Sequence, residues 1–140
     1  MVGAIIGDTV GSVYEFNNIR KKDFKLFSKD SFLTDDSMMT LAVAEILQTK
    51  SIYDKDKIID TFKKWGRAYP DRGYGGMFAK WLFTDMRESY GSFGNGAAMR
   101  ISPVGWYAYC EEQVKDFVKR ITEVTHSHPE GIKGAEVVAM

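Results

Sequence analysis

The sequence has little of what marks secreted, membrane-spanning or nucleic-acid-binding proteins. Its 140 residues include one cysteine, Cys110, so an internal disulfide is impossible, and such a composition is typical of the reducing cytoplasm. No apolar run approaches the ~20 residues of a membrane-spanning helix, and the first residues lack the basic segment of a signal peptide. The 19 basic and 19 acidic residues cancel, which disfavours nonspecific binding to a nucleic-acid backbone. We therefore expect a cytoplasmic protein that binds neither membranes nor nucleic-acid backbones.

Proline is scarce as well, and its placement favours an α-helical chain. All three prolines lie at Pro70 or later, so the first half lacks the residue that most strongly breaks helices. Apolar residues recur at helical spacing, and no segment alternates as a β-strand does. A hydrophobic content of 44% suffices for a packed core. We predict one all-α domain over residues 1–140, with helices over 2–14, from Asp36 to about 47, over 54–68, 77–83, 96–109 with an interruption at Ser102-Pro103, 111–124, and from Pro129 onward.

The first predicted helix carries a stripe of glycines. Gly3, Gly7 and Gly11 fall four residues apart and share one face, although each glycine costs up to ~1 kcal/mol in a helix interior. The stripe indicates that another backbone or a ligand approaches closely there. A strand, a glycine-rich turn and a helix remain the alternative arrangement. The polar segment 17–33 that follows is predicted to be a surface loop.

The segment Thr34-Asp35-Asp36-Ser37 directly precedes the second predicted helix. These residue types are preferred helix caps, because their oxygen atoms accept hydrogen bonds from free backbone N–H groups. Adjacent carboxylates and hydroxyls are also ligands of hard cations such as Mg²⁺ or Mn²⁺. Both interpretations stay open, and three oxygen ligands are fewer than the about six that Mg²⁺ takes. Further acidic candidates on the first segment are Asp8 and Glu15.

A second polar segment has three glycines in six residues: Gly91, Ser92, Phe93, Gly94, Asn95 and Gly96. Glycine lets backbone N–H groups approach an anion, and the helix predicted to follow would add partial positive charge. One interpretation is therefore a phosphate cradle, in which the Phe93 ring stacks on a base. The segment matches neither a Walker A nor a GxGxxG sequence, so an ordinary flexible loop remains the other interpretation.

Both histidines lie in one short segment, Thr125-His126-Ser127-His128-Pro129. A His-x-His pair suggests a transition-metal site, but no third soft ligand is near in the sequence. Alternatively, Ser127 or His128 caps the helix that Pro129 opens. We favour a ligand contact or a cap over a metal site.

Together these segments resemble the motifs of the ADP-ribosylglycohydrolase family. The resemblance covers essentially the whole chain, and the motifs follow the family's order. They are Gly3–Asp8 with Gly11 and Tyr14-Glu15-Phe16, Thr34–Met39, Gly91–Gly105, and Thr125–Pro129 with Gly134-Ala135.

The resemblance implies a fold, a ligand and a reaction. The family fold is all-α, so we expect a compact orthogonal helical bundle that forms part of it. Family members bind two Mg²⁺ or Mn²⁺ ions beneath an ADP-ribose cleft and hydrolyse the bond between C1″ of ADP-ribose and a protein side chain or small acceptor. The resemblance assigns metal binding to Thr34, Asp35 and Asp36, catalysis to Glu15 and Asp35, and substrate binding to Gly91, Ser92, Phe93, Gly94, Asn95, Gly96 and His126.

The chain departs from the family in length. Members are much longer, and their second half supplies an Asp-x-Asp-Thr or Asp-x-Asp-Ser segment that completes the metal site. No such segment occurs here, and the apolar helix end Glu136–Met140 predicts further chain or a packed partner. We expect an incomplete metal site, an isolated chain without useful turnover, and a partner that is a second copy or a chain supplying the missing half. The alternative is an inactive ADP-ribose-binding or helical interaction remnant.

Overall fold

Seven α-helices and one 3₁₀ turn make up the computed structural model, which describes residues 1–140. No strand is present, so the predicted all-α class is confirmed. None of the helices combines the length and apolar character that a bilayer crossing requires. The helices are α1 (Val2–Gly11), α2 (Asp35–Gln48), α3 (Lys55–Ala68), α4 (Gly76–Phe83), α5 (Ser102–Tyr107), α6 (Glu111–Glu123) and α7 (Pro129–Ala139), with the 3₁₀ turn at Ser51–Tyr53.

Helices α2 and α3 pack against each other, and both begin at side-chain caps. Thr34 caps α2 by accepting a hydrogen bond from the backbone N–H of Asp36 at 3.3 Å. Asp54 caps α3 by accepting from two backbone N–H groups, each at 3.1 Å. Each large apolar side chain buried between the helices contributes ~1.5–3 kcal/mol. The core contains 23 hydrophobic residues, to which these helices contribute, among others, Met39, Val43, Ile46, Ile58 and Phe62.

Two basic side chains of α3 hold the end of α4. The Nζ atom of Lys63 donates to the carbonyls of Trp81 and Thr84, both at 2.7 Å, and Arg67 Nε donates to the carbonyl of Leu82 at 2.8 Å. Cations favour the negative end of the helix dipole, where carbonyl groups lack helical partners. This contact fixes α4 beside the segment that leads to residues 91–96.

Helices α5, α6 and α7 form the second part of the core. The apolar stripe predicted for residues 111–124 is confirmed, since Val114, Phe117, Val118, Ile121 and Val124 are all buried. Pro103 stands in the first turn of α5, where its missing N–H costs no hydrogen bond.

The segment 96–109 differs from its prediction. Residues 95–100 form turns, and the helix begins only at Ser102, so Ser102-Pro103 starts the helix where an interruption was predicted. Helix α1 also ends at Gly11, three residues before its predicted end, because the Tyr14 N–H bonds the Gly11 carbonyl at 2.8 Å and closes a turn.

Helix α1 lies at the periphery and packs mainly on α2. None of its residues is buried, and the helical interpretation of the glycine stripe is confirmed over the strand–turn–helix alternative. A Cβ atom placed on Gly3, Gly7 or Gly11 would meet no atom within 4 Å. The predicted close approach of another backbone is therefore wrong within this chain, and the face is open.

Candidate functional site

The end of α1 meets the start of α2 at the Asp8 carboxylate. Its Oδ2 atom accepts from the backbone N–H of Thr34 at 2.9 Å, and the hydroxyls of Thr34 and Ser37 also donate to this carboxylate. Thr34 thus caps α2 and binds α1 as well, so the capping interpretation is confirmed as one of its roles. The backbone N–H of Asp35 donates to the Arg72 carbonyl at 2.8 Å, which anchors the other side of the motif.

An acidic cavity of about 280 Å³ opens at this junction. No hydrophobic residue lines it, and Asn95 of the glycine-rich segment forms part of its wall. The structure thereby brings Glu15, from the turn after α1, to the same cavity as Thr34 and Asp36. The lining residues are Asp8, Gly11, Ser12, Glu15, Thr34, Asp36 and Asn95.

The carboxylates around this cavity repel one another. Burial and then the neighbouring Asp36 charge raise the pKa of Asp35 to about 7, with smaller contributions from Glu15 and Asp8. Burial, Asp8 and Glu15 likewise raise the pKa of Asp36. No basic side chain lines the acidic cavity. Like charges held together without a counterion favour the binding of a cation or of protons.

The donor set fits a hard cation in type but not in number. Carboxylate, hydroxyl and amide oxygens are the ligands that Mg²⁺ and Mn²⁺ prefer. No three His, Cys, Asp or Glu side chains converge closely enough to hold an ion. Asp35 and Asp36 also line different cavities. The predicted metal ligands Thr34, Asp35 and Asp36 are therefore neighbours at the start of α2 but do not form a complete ligand set.

A second cavity of about 290 Å³, here called the loop cavity, adjoins the first at Asn95. Asp35 lines it together with the glycine-rich segment, and Tyr90, Arg100 and His126 form another part of its wall. Of the predicted substrate-binding residues, those that line it are Ser92, Gly94, Asn95, Gly96 and His126.

Two predicted substrate-binding residues lie outside this lining. Gly91 adopts φ +65°, a left-handed conformation that glycine tolerates best. Phe93 is 73% exposed, with its ring 5.2 Å from that of His128. Since turns rather than a helix follow Gly94, the predicted helix dipole does not contribute to an anion site, and only the backbone N–H groups of the loop remain for that role.

The histidine pair does not converge on one ligand. His128 caps α7, with Nδ1 accepting from the Glu130 N–H at 3.2 Å. His126 is buried and lines the loop cavity. The geometry therefore favours a helix cap for His128 and a ligand contact for His126 over a transition-metal site formed by both.

Arg100 and Thr125 belong to the sequence motifs, but the sequence assigned no role to either. Arg100 is 1% exposed, has no acidic partner, and donates from Nη2 to the Thr125 hydroxyl at 2.8 Å. Its guanidinium lies 4.3 Å from the centre of the Phe62 ring, and burial lowers its pKa to about 10. Burial, together with Arg100, lowers the pKa of His126 to about 3, so the imidazole is neutral. No local signal in the sequence distinguishes this arginine from an exposed one.

Comparison with known proteins agrees with the sequence motifs. The family model for ADP-ribosylglycohydrolase matches residues 1–140. The ADP-ribosylhydrolase ARH3 of Mus musculus is 28% identical over 170 aligned residues, which cover 100% of this chain and 46% of the relative. For the ARH3 proteins of Homo sapiens and Gallus gallus the identities are 27% and 28%, over 100% of this chain and 47% of each relative. The chain spans about half the length of the curated relatives it matches.

Proposed function

This chain belongs to the ADP-ribosylglycohydrolase family, and from that premise we propose that it forms the ADP-ribose-binding half of a hydrolase site. The bond hydrolysed joins C1″ of ADP-ribose to a protein side chain or small acceptor. One observation carries the proposal: the acidic cavity and the loop cavity meet at Asn95. ADP-ribose suits this pair of cavities, because its diphosphate and its distal ribose are adjacent parts of one molecule.

The loop cavity suits the diphosphate. Backbone N–H groups of the glycine-rich loop and the imidazole of His126 are neutral donors, and hydrogen bonds to charged acceptors contribute roughly 1.5–3 kcal/mol each. Arg100, in the wall of the same cavity, adds positive potential. The exposed Phe93 ring, at the edge of the same loop, offers a face on which adenine stacks.

The acidic cavity suits the distal ribose and the reacting bond. Asp35 lines the loop cavity beside it and accepts hydrogen bonds from ribose hydroxyls in its charged form. Glu15 lies in the acidic cavity and takes the proton of the attacking water, the usual role of a carboxylate general base. Mg²⁺ or Mn²⁺ held through Thr34, Asp35 and Asp36 would supply Lewis-acid stabilisation of the charge that develops there.

The proposal includes an incomplete metal site. The chain spans about half of its relatives, and its own oxygen ligands do not form a closed set. A second copy or a chain with the missing ligands would complete the site, and the isolated chain would bind ADP-ribose without hydrolysing it at a useful rate. A catalytically inactive ADP-ribose-binding remnant is the second candidate, favoured by the same incomplete ligand set.

The single exposed cysteine, Cys110, supports a cytoplasmic location.

Calorimetry with ADP-ribose and Mn²⁺ tests the proposal. We expect ADP-ribose to bind, and Mn²⁺ to bind weakly. Asp36→Asn keeps the shape of the side chain but removes its charge, so Mn²⁺ affinity should fall about tenfold or more. Asp23→Asn is the matched control, because this exposed carboxylate lies in the surface loop and lines neither cavity. Equal Mn²⁺ affinity in both variants would reduce the motif to a helix cap, and absence of ADP-ribose binding would refute the proposed function.

Turnover is measured as release of ADP-ribose from an ADP-ribosylated protein with Mg²⁺ or Mn²⁺ present. The isolated chain should give none, because misplacement of reacting groups by ~1 Å costs about a hundredfold in rate. Addition of the second half of a full-length relative should give activity that Asp36→Asn abolishes. Activity of the 140-residue chain alone would contradict the incomplete site.

A further inference from the structure

A chain of buried hydrogen bonds ends at the ring of His126. Arg100 Nη2 donates to Thr125 Oγ1 at 2.8 Å, and Thr125 Oγ1 lies 2.8 Å from His126 Nδ1. Arg100 and Thr125 are at most 1% exposed, and His126 is 4% exposed. The three residues therefore interact without solvent between them.

The chemistry of the three groups fixes the direction of each bond. A guanidinium has only donors, so Thr125 Oγ1 accepts from Arg100. The Thr125 hydroxyl makes no side-chain hydrogen bond other than those to Arg100 and His126. A buried hydroxyl proton without an acceptor is costly, so this proton goes to His126 Nδ1. A neutral imidazole that accepts at Nδ1 carries its proton on Nε2.

The Nε2 edge of the ring faces the glycine-rich loop. A Cβ atom on Gly96 would lie 3.1 Å from both Nε2 and Cε1 of His126, and both residues line the loop cavity. Nε2 has no hydrogen-bond partner within the protein, and it is not among the fully buried unpaired atoms. A donor with this setting is free to bind a ligand.

We propose that Arg100 and Thr125 are positioning residues that hold His126 as the Nε2–H tautomer, so that the ring donates one hydrogen bond to a phosphate oxygen in the loop cavity. This inference rests on the proposed function for its ligand, but the tautomer itself does not depend on it. The ring stays a neutral donor at physiological pH, since burial next to Arg100 opposes its protonation. With Nε2 protonated, the ring has no free lone pair for a metal on that side.

Nitrogen-15 NMR of the full chain without ligand reads the tautomer directly, because the two ring nitrogens of neutral histidine differ strongly in chemical shift when one is protonated. We expect a protonated Nε2 and an unprotonated Nδ1 for His126. Thr125→Val removes the hydroxyl at nearly constant shape and should give a mixture of tautomers, whereas Thr125→Ser should restore the native spectrum. A native spectrum with the proton on Nδ1 would overturn the inference even if Thr125→Val failed to fold.

Thr122→Val is the matched control. Thr122 is also fully buried and lies in the last turn of α6, three residues before Thr125, but its hydroxyl has no partner. The same substitution there should leave the His126 spectrum unchanged. A loss of the Nε2–H signature in Thr122→Val as large as that in Thr125→Val would show a general packing effect and overturn the inference.

Binding of ADP-ribose and of inorganic pyrophosphate tests the donor role. Thr125→Val should weaken both by about twofold, the loss expected when about half of the molecules keep the Nε2–H tautomer that donates to the ligand. Thr125→Ser and Thr122→Val should bind as the native chain does. Unchanged pyrophosphate affinity in a folded Thr125→Val variant would refute the donor role. Binding of pyrophosphate but not of ADP-ribose by the native chain would refute the proposed function and would still support the donor role of His126.

Discussion

At the scale of single residues, His126 makes stability depend on pH. Its pKa in the folded chain, about 3, lies below the ordinary value of 6.5. As pH falls between these values, the unfolded chain binds a proton that the folded chain does not, so the free energy of unfolding falls. The contribution of neutral His126 to the free energy of unfolding is complete above pH 6.5 and is lost progressively below it.

His126→Gln removes this titration, and the difference between the native chain and the variant isolates it from the carboxylates, which shift alike in both. We expect the native chain to lose ~2–3 kcal/mol more than the variant between about pH 7 and 4.5. Urea unfolding at the two pH values measures it. Parallel losses in both proteins would mean that the folded state protonates His126 readily.

The functional residues at the start of α2 can be predicted from the sequence, but side chains that meet over a long range cannot. Thr34, Asp35 and Asp36 stood out because capping and cation binding need the same oxygen atoms. Arg100 and Thr125 meet across 25 positions of chain, and nothing local distinguishes a buried arginine from an exposed one. Tertiary contacts decide such residues, so prediction from a single sequence fails there.

At the scale of helices, two glycines with opposite surroundings predict opposite effects of the same substitution. A Cβ atom on Gly105 of α5 would overlap the backbone carbonyl of Ala139 in α7, and backbone cannot move aside as a side chain can. Gly105→Ala should therefore lower the free energy of unfolding by ~1–3 kcal/mol. Denaturant unfolding measures the change.

Gly134→Ala in α7 is the matched control for Gly105→Ala. No atom lies within 4 Å of its Cβ position, so this substitution should raise stability by ~0.5–1 kcal/mol through helix propensity alone. If both variants lost stability equally, the close packing of α5 on α7 would be wrong.

Helices with local signals were predicted well, and those set by the tertiary fold were not. Asp54 and the apolar stripe fixed α3 to within a residue, and the same held for α6. The turns at 95–100 were mistaken for a helix because Ala97–Met99 have strong helix propensity, whereas the packing of Ala97 and Arg100 in the core overrides it. The glycine stripe of α1 predicts close contact with another backbone, and no part of this chain makes that contact.

At the scale of the whole molecule, large apolar side chains remain in contact with solvent around one groove. Met1, Leu47, Pro103, Trp106 and Tyr107 line an apolar cavity of about 310 Å³ between α2 and α5. Trp106 is 83% exposed. Beside it, Gly105 abuts Ala139, which places the end of α7 with its exposed Val138 next to this surface. Contiguous exposed apolar surface of this kind usually marks an interaction site.

We expect the chain to self-associate through this surface, which also fits the proposed need for a partner. Trp106→Ser removes its largest exposed apolar side chain without opening the core, so the dissociation constant should rise about tenfold or more. Phe27→Ser is the control, because Phe27 is 53% exposed in the loop of residues 17–33, which lies outside the groove. Sedimentation velocity over a range of protein concentrations separates the outcomes. A native chain that stays monomeric at high micromolar concentration contradicts self-association, and equal weakening by both substitutions places the contact elsewhere.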